Sequence, residues 1–166
     1  MKQGMASVQP LRVRAAVAAD AAWLAECAIA MAQETEGKAL DPPTVRAGIE
    51  AGLSDPAKAR YFVAMHDDLA GSDTIGAPAG TLMLTHEWSD WRNGDWWWIQ
   101  SVYVLPRFRR RGVFAALYRH VEALARTTPG AIGLRLYMER DNAAARATYT
   151  ALGMRDAGYE IYEALL

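Results

Sequence analysis

The sequence predicts a mixed α/β (α+β) domain, and three observations carry the prediction. Strand-like and helix-like runs follow one another in the order β-α-α-β-β-β-α-β-α-β, with no internal repeat and no linker. After a helical insertion, short connections join the early strands, which makes antiparallel neighbours of them. Near the middle of the chain, a strand-like run turns through a short basic loop into an amphipathic helix. The 166 residues suit one domain with a substantial core, so 1–166 reads as a single domain behind a loose tail at 1–10.

Each element has its own signal. Residues 11–17, LRVRAAV, alternate apolar and polar at first and read as the opening strand. Asp20 is placed to cap the helix that follows. In it Trp23, Leu24, Cys27, Ala28 and Met31 recur at helical spacing until Gly37 stops it. Asp41 before Pro42 is a cap-then-proline helix start. Val45, Gly48, Ile49 and Leu53 stripe that second helix, and Ser54-Asp55-Pro56 ends it. RYFVAMH, 60–66, is a second strand, and 67–78 reads as loop from its Gly, Asp, Ser and Pro. GTLMLTH, 80–86, is a third strand. Residues 87–95, EWSDWRNGD, read as loop, and 96–105 is the fourth strand. Val113, Leu117, Val121 and Leu124 fall on one face of the central helix. A turn at 127–130 leads to a fifth strand at 131–138. A short helix at 143–152 follows Asn142, with Gly153 where a C′ glycine belongs. GYEIYE, 158–163, reads as a last strand.

Composition excludes several classes. Lys plus Arg number 18 against 19 Asp plus Glu, a formal net charge of -1, so no global basic field points to nucleic acid. The first ten residues lack the apolar core of a signal peptide, and no apolar run is long enough to span a bilayer. A cytoplasmic location without a membrane partner is the expectation. Cys27 is the only cysteine, which rules out an internal disulfide and reads as a small buried hydrophobe. His66, His86 and His120 are scattered without metal-ligand spacing, so no metal is expected. No Ser-His-Asp or Cys-His arrangement is visible.

Two stretches carry chemistry. Residues 106–126, PRFRRRGVFAALYRHVEALAR, place Arg107, Arg109, Arg110, Arg111 and Gly112 between a strand and a helix start. Such a turn aims free backbone N–H groups and the positive end of the helix dipole at one point. Arginine adds charge and fork-shaped donors suited to phosphate. A small phosphate-bearing ligand is the reading. The second stretch, 87–95, carries Trp88 and Trp91, and Trp96, Trp97 and Trp98 follow at once. Exposing tryptophan is unfavourable, so these rings cover something. They either lid the core or a homodimer seam, or wall an acceptor pocket beside Glu87, Asp90 and Asp95.

VYVLPRFRRRGVFAAL and the later DNAAARATYTALGM together resemble the GCN5-related N-acetyltransferase superfamily. The first resembles its acetyl-CoA signature, Arg/Gln-x-x-Gly-x-Gly/Ala, here Arg109, Gly112 and Phe114. The second resembles its Asn-x-x-Ala-x-x-x-Tyr-x-x-x-Gly-Phe helix, here Asn142, Ala145, Tyr149, Gly153 and Met154. Phe114 and Met154 depart from the pattern, and the bulky Phe114 ring is expected to turn into the core. The resemblance implies a mixed, mostly antiparallel central sheet of six to seven strands with a splayed parallel pair, flanked by about four helices.

It also implies a site. The splayed gap would take the pantetheine arm of acetyl-CoA against backbone groups of Val102, Tyr103 and Val104, one N–H among them holding the developing oxyanion. The turn that begins at Arg109, with N–H groups of Arg110, Arg111, Gly112, Val113, Phe114 and Ala115, would wrap the pyrophosphate. Asn142 would cap its helix and bond the pantetheine. Tyr149 would protonate the leaving thiolate, and Glu87 or Glu139 would take the amine's proton, directly or through water. The implied activity is acetyl transfer to a primary amine by direct attack in a ternary complex, with no metal. The acceptor is a small-molecule amine or a protein amine. A non-catalytic acyl-CoA-binding or sensor protein of the same fold is the alternative.

Overall fold

The computed structural model describes residues 11–66 and 76–166. The expected tail at 1–10 and most of the expected 67–78 loop lie outside them, though Ala77 and Pro78 open a strand. The chain divides into two compact units, Met1–Leu136 and Tyr137–Leu166.

The first unit is built on a sheet of five strands in the order β1-β2-β3-β4-β5. These are β1 Leu11–Ala15, β2 Arg60–His66, β3 Ala77–Ser89, β4 Gly94–Val104 and β5 Ala131–Leu136. All neighbours are antiparallel except β4 and β5, which are parallel. The sheet is therefore mostly antiparallel with one parallel pair, as expected. Its strand count among the described residues is five rather than six to seven.

Helices α1 (Ala21–Glu36), α2 (Pro42–Ser54) and α3 (Val113–Thr127) belong to this unit. Successive residues of β2 reveal the layers, because strand side chains alternate faces. Tyr61 packs into the cluster of Leu24, Ile49, Val45 and Leu53 from α1 and α2. Phe62 stands 5.3 Å from His120 of α3, centroid to centroid. So α1 and α2 cover one face and α3 the other. α3 buries Val113, Leu117, Tyr118 and Val121. Each fully buried aliphatic side chain there contributes about 1.5–3 kcal/mol. Gly80 lets α3 start this close: a Cβ on it would sit 2.9 Å from both Val113 Cγ1 and the Tyr103 carbonyl oxygen.

Several local expectations change. Asp41 caps α2, its Oδ2 accepting from the Thr44 N–H at 3.0 Å, and Gly37 stops α1 in the left-handed region at φ 63°. Asp20 does not cap α1. Its carboxylate accepts from the Val17 N–H and from both terminal nitrogens of Arg14, so it closes the short 3-10 turn Ala18–Asp20 instead. The expected loop at 87–95 is mostly strand. β3 runs on to Ser89 and β4 begins at Gly94, leaving only a tight turn at 90–93. Glu87, Trp88, Ser89 and Asp95 are strand residues, with cross-strand pairs such as Glu87 with Trp96 and Trp88 with Asp95.

The second unit holds α4, Ala143–Ala151. Asn142 caps it, its Oδ1 accepting from the Ala145 N–H at 2.9 Å. At the far end the Gly153 N–H donates to Thr150 and the Met154 N–H to Tyr149, with Gly153 at φ 86°. That is a Schellman motif on the expected glycine. The expected last strand at 158–163 does not form. Tyr159, Ile161 and Tyr162 are exposed, and among the described residues no strand pairs with this segment. Strand propensity needs a partner's backbone before it becomes a strand.

Candidate active site

The site begins where β5 ends beside β4. Their parallel register runs from Asp95 beside Ala131 to Ile99 beside Leu136 and stops there. On the other side of β4 the register with β3 slips at the same place. Met83 faces Ser101 but Leu84 faces Ile99, so Gln100 is the extra residue of a β-bulge. A bulge bends its strand and increases the twist. From Gln100 to Val104, β4 has β3 on one side and, among the described residues, no strand on the other. Val102, Tyr103 and Val104 lie in this half of the strand, where successive residues turn their backbone groups alternately to β3 and to the open edge.

The strand end then enters the basic turn. Arg110 has φ 62°, one of two non-glycine residues with positive φ among the described residues, and Gly112 has φ 79°. A left-handed non-glycine residue costs about 1–2 kcal/mol and marks a place the surroundings over-determine. Alternating conformations of this kind turn successive N–H groups toward one point, which makes an anion-binding concavity. A Cβ on Gly112 would meet nothing within 4 Å, so the glycine serves the backbone angle and not a tight contact. Arg110 and Arg111 are exposed. Val113 goes into the core. Phe114 does not turn there as expected. Half-buried, it lies 6.2 Å from the ring of Tyr118, one helical turn on. Ala115 beside it is also half-buried.

Arg109 is held differently. Its Nε donates to the Val104 carbonyl at 3.0 Å and its Nη2 to Glu34 Oε2 at 2.5 Å. The Tyr103 hydroxyl donates to Glu34 Oε1 at 2.6 Å. The Tyr103 hydrogen bond, with Arg109 second, holds the Glu34 carboxyl below its usual range.

The other half of β4 carries the tryptophans, and they divide three ways. Trp97 is buried on the α3 face beside His86 and under the guanidinium of Arg60. Burial, with Arg60 nearby, holds the His86 and His120 imidazoles below their usual range. Trp96 and Trp98 face the other side. The Arg135 guanidinium lies 4.1 Å from the Trp96 ring centroid and 5.8 Å from that of Trp98. Glu87 closes this group: Trp98 Nε1 donates to its Oε2 at 2.5 Å, and Arg135 Nη1 to its oxygens at 2.9 and 3.1 Å. Trp96 packs against Gly133, where an added Cβ would sit 2.5 Å from its ring. Trp88 and Trp91 stand exposed at the hairpin end, 63% and 87%.

In the second unit, Asn142 and Tyr149 are two helical turns apart and share a face of α4. Tyr149 is half-buried, and burial pushes its phenol above the usual tyrosine range. Glu139 is exposed in the turn before α4, beyond the end of β5, and its carbonyl accepts from the Asn142 N–H. Among the described residues, no group of three or more His, Cys, Asp and Glu is placed to hold a metal ion, and no helix is long and apolar enough to cross a membrane.

Sequence reasoning missed Glu34, Arg135 and the bulge at Gln100. Glu34 and Arg135 meet their partners across 75 and 48 residues of chain, and no local pattern reports such a pair. The bulge is a mismatch between two strands and has no signal within either.

A mixed sheet whose parallel pair ends beside a basic, left-handed turn is an acetyltransferase architecture, and the comparisons agree. The chain belongs to the acetyltransferase (GNAT) family, whose sequence profile matches residues 22–154. It is similar to the crystal structure of a possible acetyltransferase from Clostridium difficile 630. The identity is 36%, over 94% of this chain and 97% of that one, with a TM-score of 0.83. Two more distant structures share the fold. One is the aminoglycoside N-acetyltransferase AAC(6')-Iy in complex with CoA, at 16% identity over 95% of each chain, TM-score 0.73. The other is a ribosomal-protein-alanine N-acetyltransferase from Brucella melitensis biovar Abortus 2308, at 17% identity over 95% of this chain and 100% of that one, TM-score 0.69. No curated protein matches the chain.

Proposed function

We propose that this protein is an acetyl-CoA-dependent N-acetyltransferase. It moves the acetyl group to a primary amine by direct attack in a ternary complex, and its two units form one acetyltransferase domain. The observation that carries this reading is the turn from Arg109 to Gly112, strained at Arg110 and set at the end of a strand edge that has lost its neighbour. An open edge offers amide-pairing groups to an extended arm, and the turn offers N–H groups and arginines to phosphates. CoA has both parts in this order. The CoA complex of a protein with the same fold supports the donor class.

Each residue has a proposed task. Those backbone groups of Val102, Tyr103 and Val104 that face the open edge pair with the pantetheine amides, and one N–H steadies the oxyanion. The N–H groups of Arg110, Arg111, Gly112, Val113, Phe114 and Ala115, in the turn that Arg109 opens, take the pyrophosphate. Asn142 bonds the pantetheine while capping α4. As the amine nitrogen bonds to the acyl carbon, the C–S bond breaks and Tyr149 donates its proton to the thiolate. Burial keeps that phenol neutral at pH 7, the form a general acid needs. The amine's proton passes through water to a carboxylate, with Glu87 and Glu139 the candidates. Trp96, Trp98, Glu87 and Arg135 wall the acceptor side, where the amine belongs to a small molecule or to a protein.

The test is thiol release from acetyl-CoA across a panel of amines, with the acetylated product weighed by mass spectrometry. Acceptor-dependent release with a mass gain of one acetyl group is expected. Tight acetyl-CoA binding without turnover on any amine would leave a non-catalytic acyl-CoA binder.

A further inference from the structure

The proposed donor turn is strained at Arg110, and strain of that kind persists only where neighbouring contacts hold it. The residue before it makes such contacts. Arg109 is anchored through its backbone, whose N–H donates to Pro106, and through its side chain, whose Nε and Nη2 reach Val104 and Glu34. Its guanidinium lies 5.6 Å from the Tyr103 ring centroid, and Tyr103 is itself only 7% exposed. Glu34 sits in the last turn of α1 and joins the two, with one oxygen on the Tyr103 hydroxyl and the other on Arg109. The carboxylate therefore ties a helix, the open edge of β4 and the first residue of the turn to one another.

We propose that Glu34 is a positioning residue for the acyl donor, holding Arg109 and Tyr103 in a strut that keeps the 110–112 turn in its binding shape. Resting on the donor reading above, this changes the task of Arg109: the signature arginine serves the donor through the strut and not by touching phosphate. Two features support it. Nε and Nη2 of Arg109 are already committed to protein acceptors. A carboxylate beside a phosphate site is also unfavourable by simple charge, so its place there needs a structural return.

That last point supplies the test. Removing a negative charge near an anion site should by itself tighten anion binding, whereas breaking a strut should weaken it. Calorimetry with acetyl-CoA on Glu34→Gln should show affinity reduced about tenfold, the scale of coupled neighbours in one network. Arg109→Gln should lose about the same, and the double variant no more than the worse single, because both break one strut. Tyr103→Phe keeps both charges and the ring and should lose less. The Glu34–Arg109 pair is half-exposed, so thermal midpoints should barely move and misfolding should not confuse the reading. A second readout is salt. The salt dependence of acetyl-CoA affinity should stay wild-type in the double variant, which removes one charge of each sign and so leaves the local net charge unchanged. Unchanged or tighter binding in Glu34→Gln, additive losses in the double variant, or a flattened salt dependence in the double variant would each overturn the proposal. If the wild-type protein binds no acetyl-CoA, the functional reading fails first and the proposal goes with it. Wild-type binding with indifferent variants sinks the strut alone.

Discussion

The two halves of β4 are built on different principles. Beyond Gln100 the strand offers backbone: an edge with no neighbouring strand among the described residues, then a turn whose φ angles at Arg110 and Gly112 set its N–H groups. Before Gln100 the strand offers side chains: Trp96 packed against Gly133, Arg135 against Trp96, and Glu87 bridging Arg135 and Trp98. A backbone site recognises features that every CoA shares. A side-chain site can be rebuilt ring by ring for one acceptor. In the proposed function the backbone half holds the donor and the side-chain half the acceptor.

The largest effect should come from the backbone half. Gly112→Glu forces a side chain into φ 79° and sets a negative charge at the proposed phosphate turn. The strain costs about 1–2 kcal/mol, which the fold should survive. Acetyl-CoA binding should nevertheless fall below detection in calorimetry, while circular dichroism stays native. Retained affinity would remove the backbone half from the comparison altogether.

Next comes Tyr149, which belongs to neither half. Tyr149→Phe keeps the ring and removes the hydroxyl. If that hydroxyl is the acid, kcat should drop roughly 10²-fold with acetyl-CoA affinity unchanged. The sign of the pH effect follows from burial. The phenol is raised, so it stays protonated and competent through neutral pH, and its limb of the kcat profile should fall off only on the alkaline side, above the usual tyrosine value of roughly 10. The Phe variant should lack that limb. Full turnover in the variant would make Tyr149 a packing residue.

How much of this the sequence disclosed follows the same division. The strand–turn–helix of the basic stretch was legible because it is local: strand end, arginines, glycine and helix start lie within a dozen or so residues. The Asn142 cap and the Gly153 stop were legible for the same reason. The side-chain half was not. The polar composition of 87–95 reads as loop, and only pairing with the tryptophan-bearing strand reveals β structure. Aromatic and acidic residues together read as an open acceptor pocket, which such groups would suit for a cation. In the structure a cation of the chain itself, Arg135, already lies against those rings and that acid. The segment 158–163 failed in the opposite direction, since its alternation has no partner strand among the described residues to act on.

Gly133→Ala probes the side-chain half at its floor. Its new methyl would need the space of the Trp96 ring, which must shift and carry its stacking with Arg135 along. Overpacking of this kind costs about 1–3 kcal/mol. The thermal midpoint should fall by several degrees, roughly the shift such a loss gives a domain of this size. The KM for the acceptor should rise with the Kd for acetyl-CoA unchanged. Donor and acceptor constants that worsen together would mean that the two halves are not separable.

The smallest effect should be that of Glu87→Gln, and it sharpens the comparison most. The amide can still accept from Trp98 or from Arg135, but it loses the charge. The Glu87–Arg135 pair is partly exposed, so stability should change by no more than about 1 kcal/mol. What matters is which kinetic constant moves. If Glu87 is a wall that orients Trp98 and Arg135, the acceptor KM should rise a few-fold with kcat and its pH profile intact, since uniform binding alone is lost. If Glu87 takes the amine's proton, kcat should fall by a larger factor and lose its acidic limb, because glutamine cannot accept a proton. The same measurement on Glu139→Gln supplies the control. A drop in kcat there with Glu87→Gln silent would assign the proton to the second unit and leave the side-chain half of β4 with recognition alone.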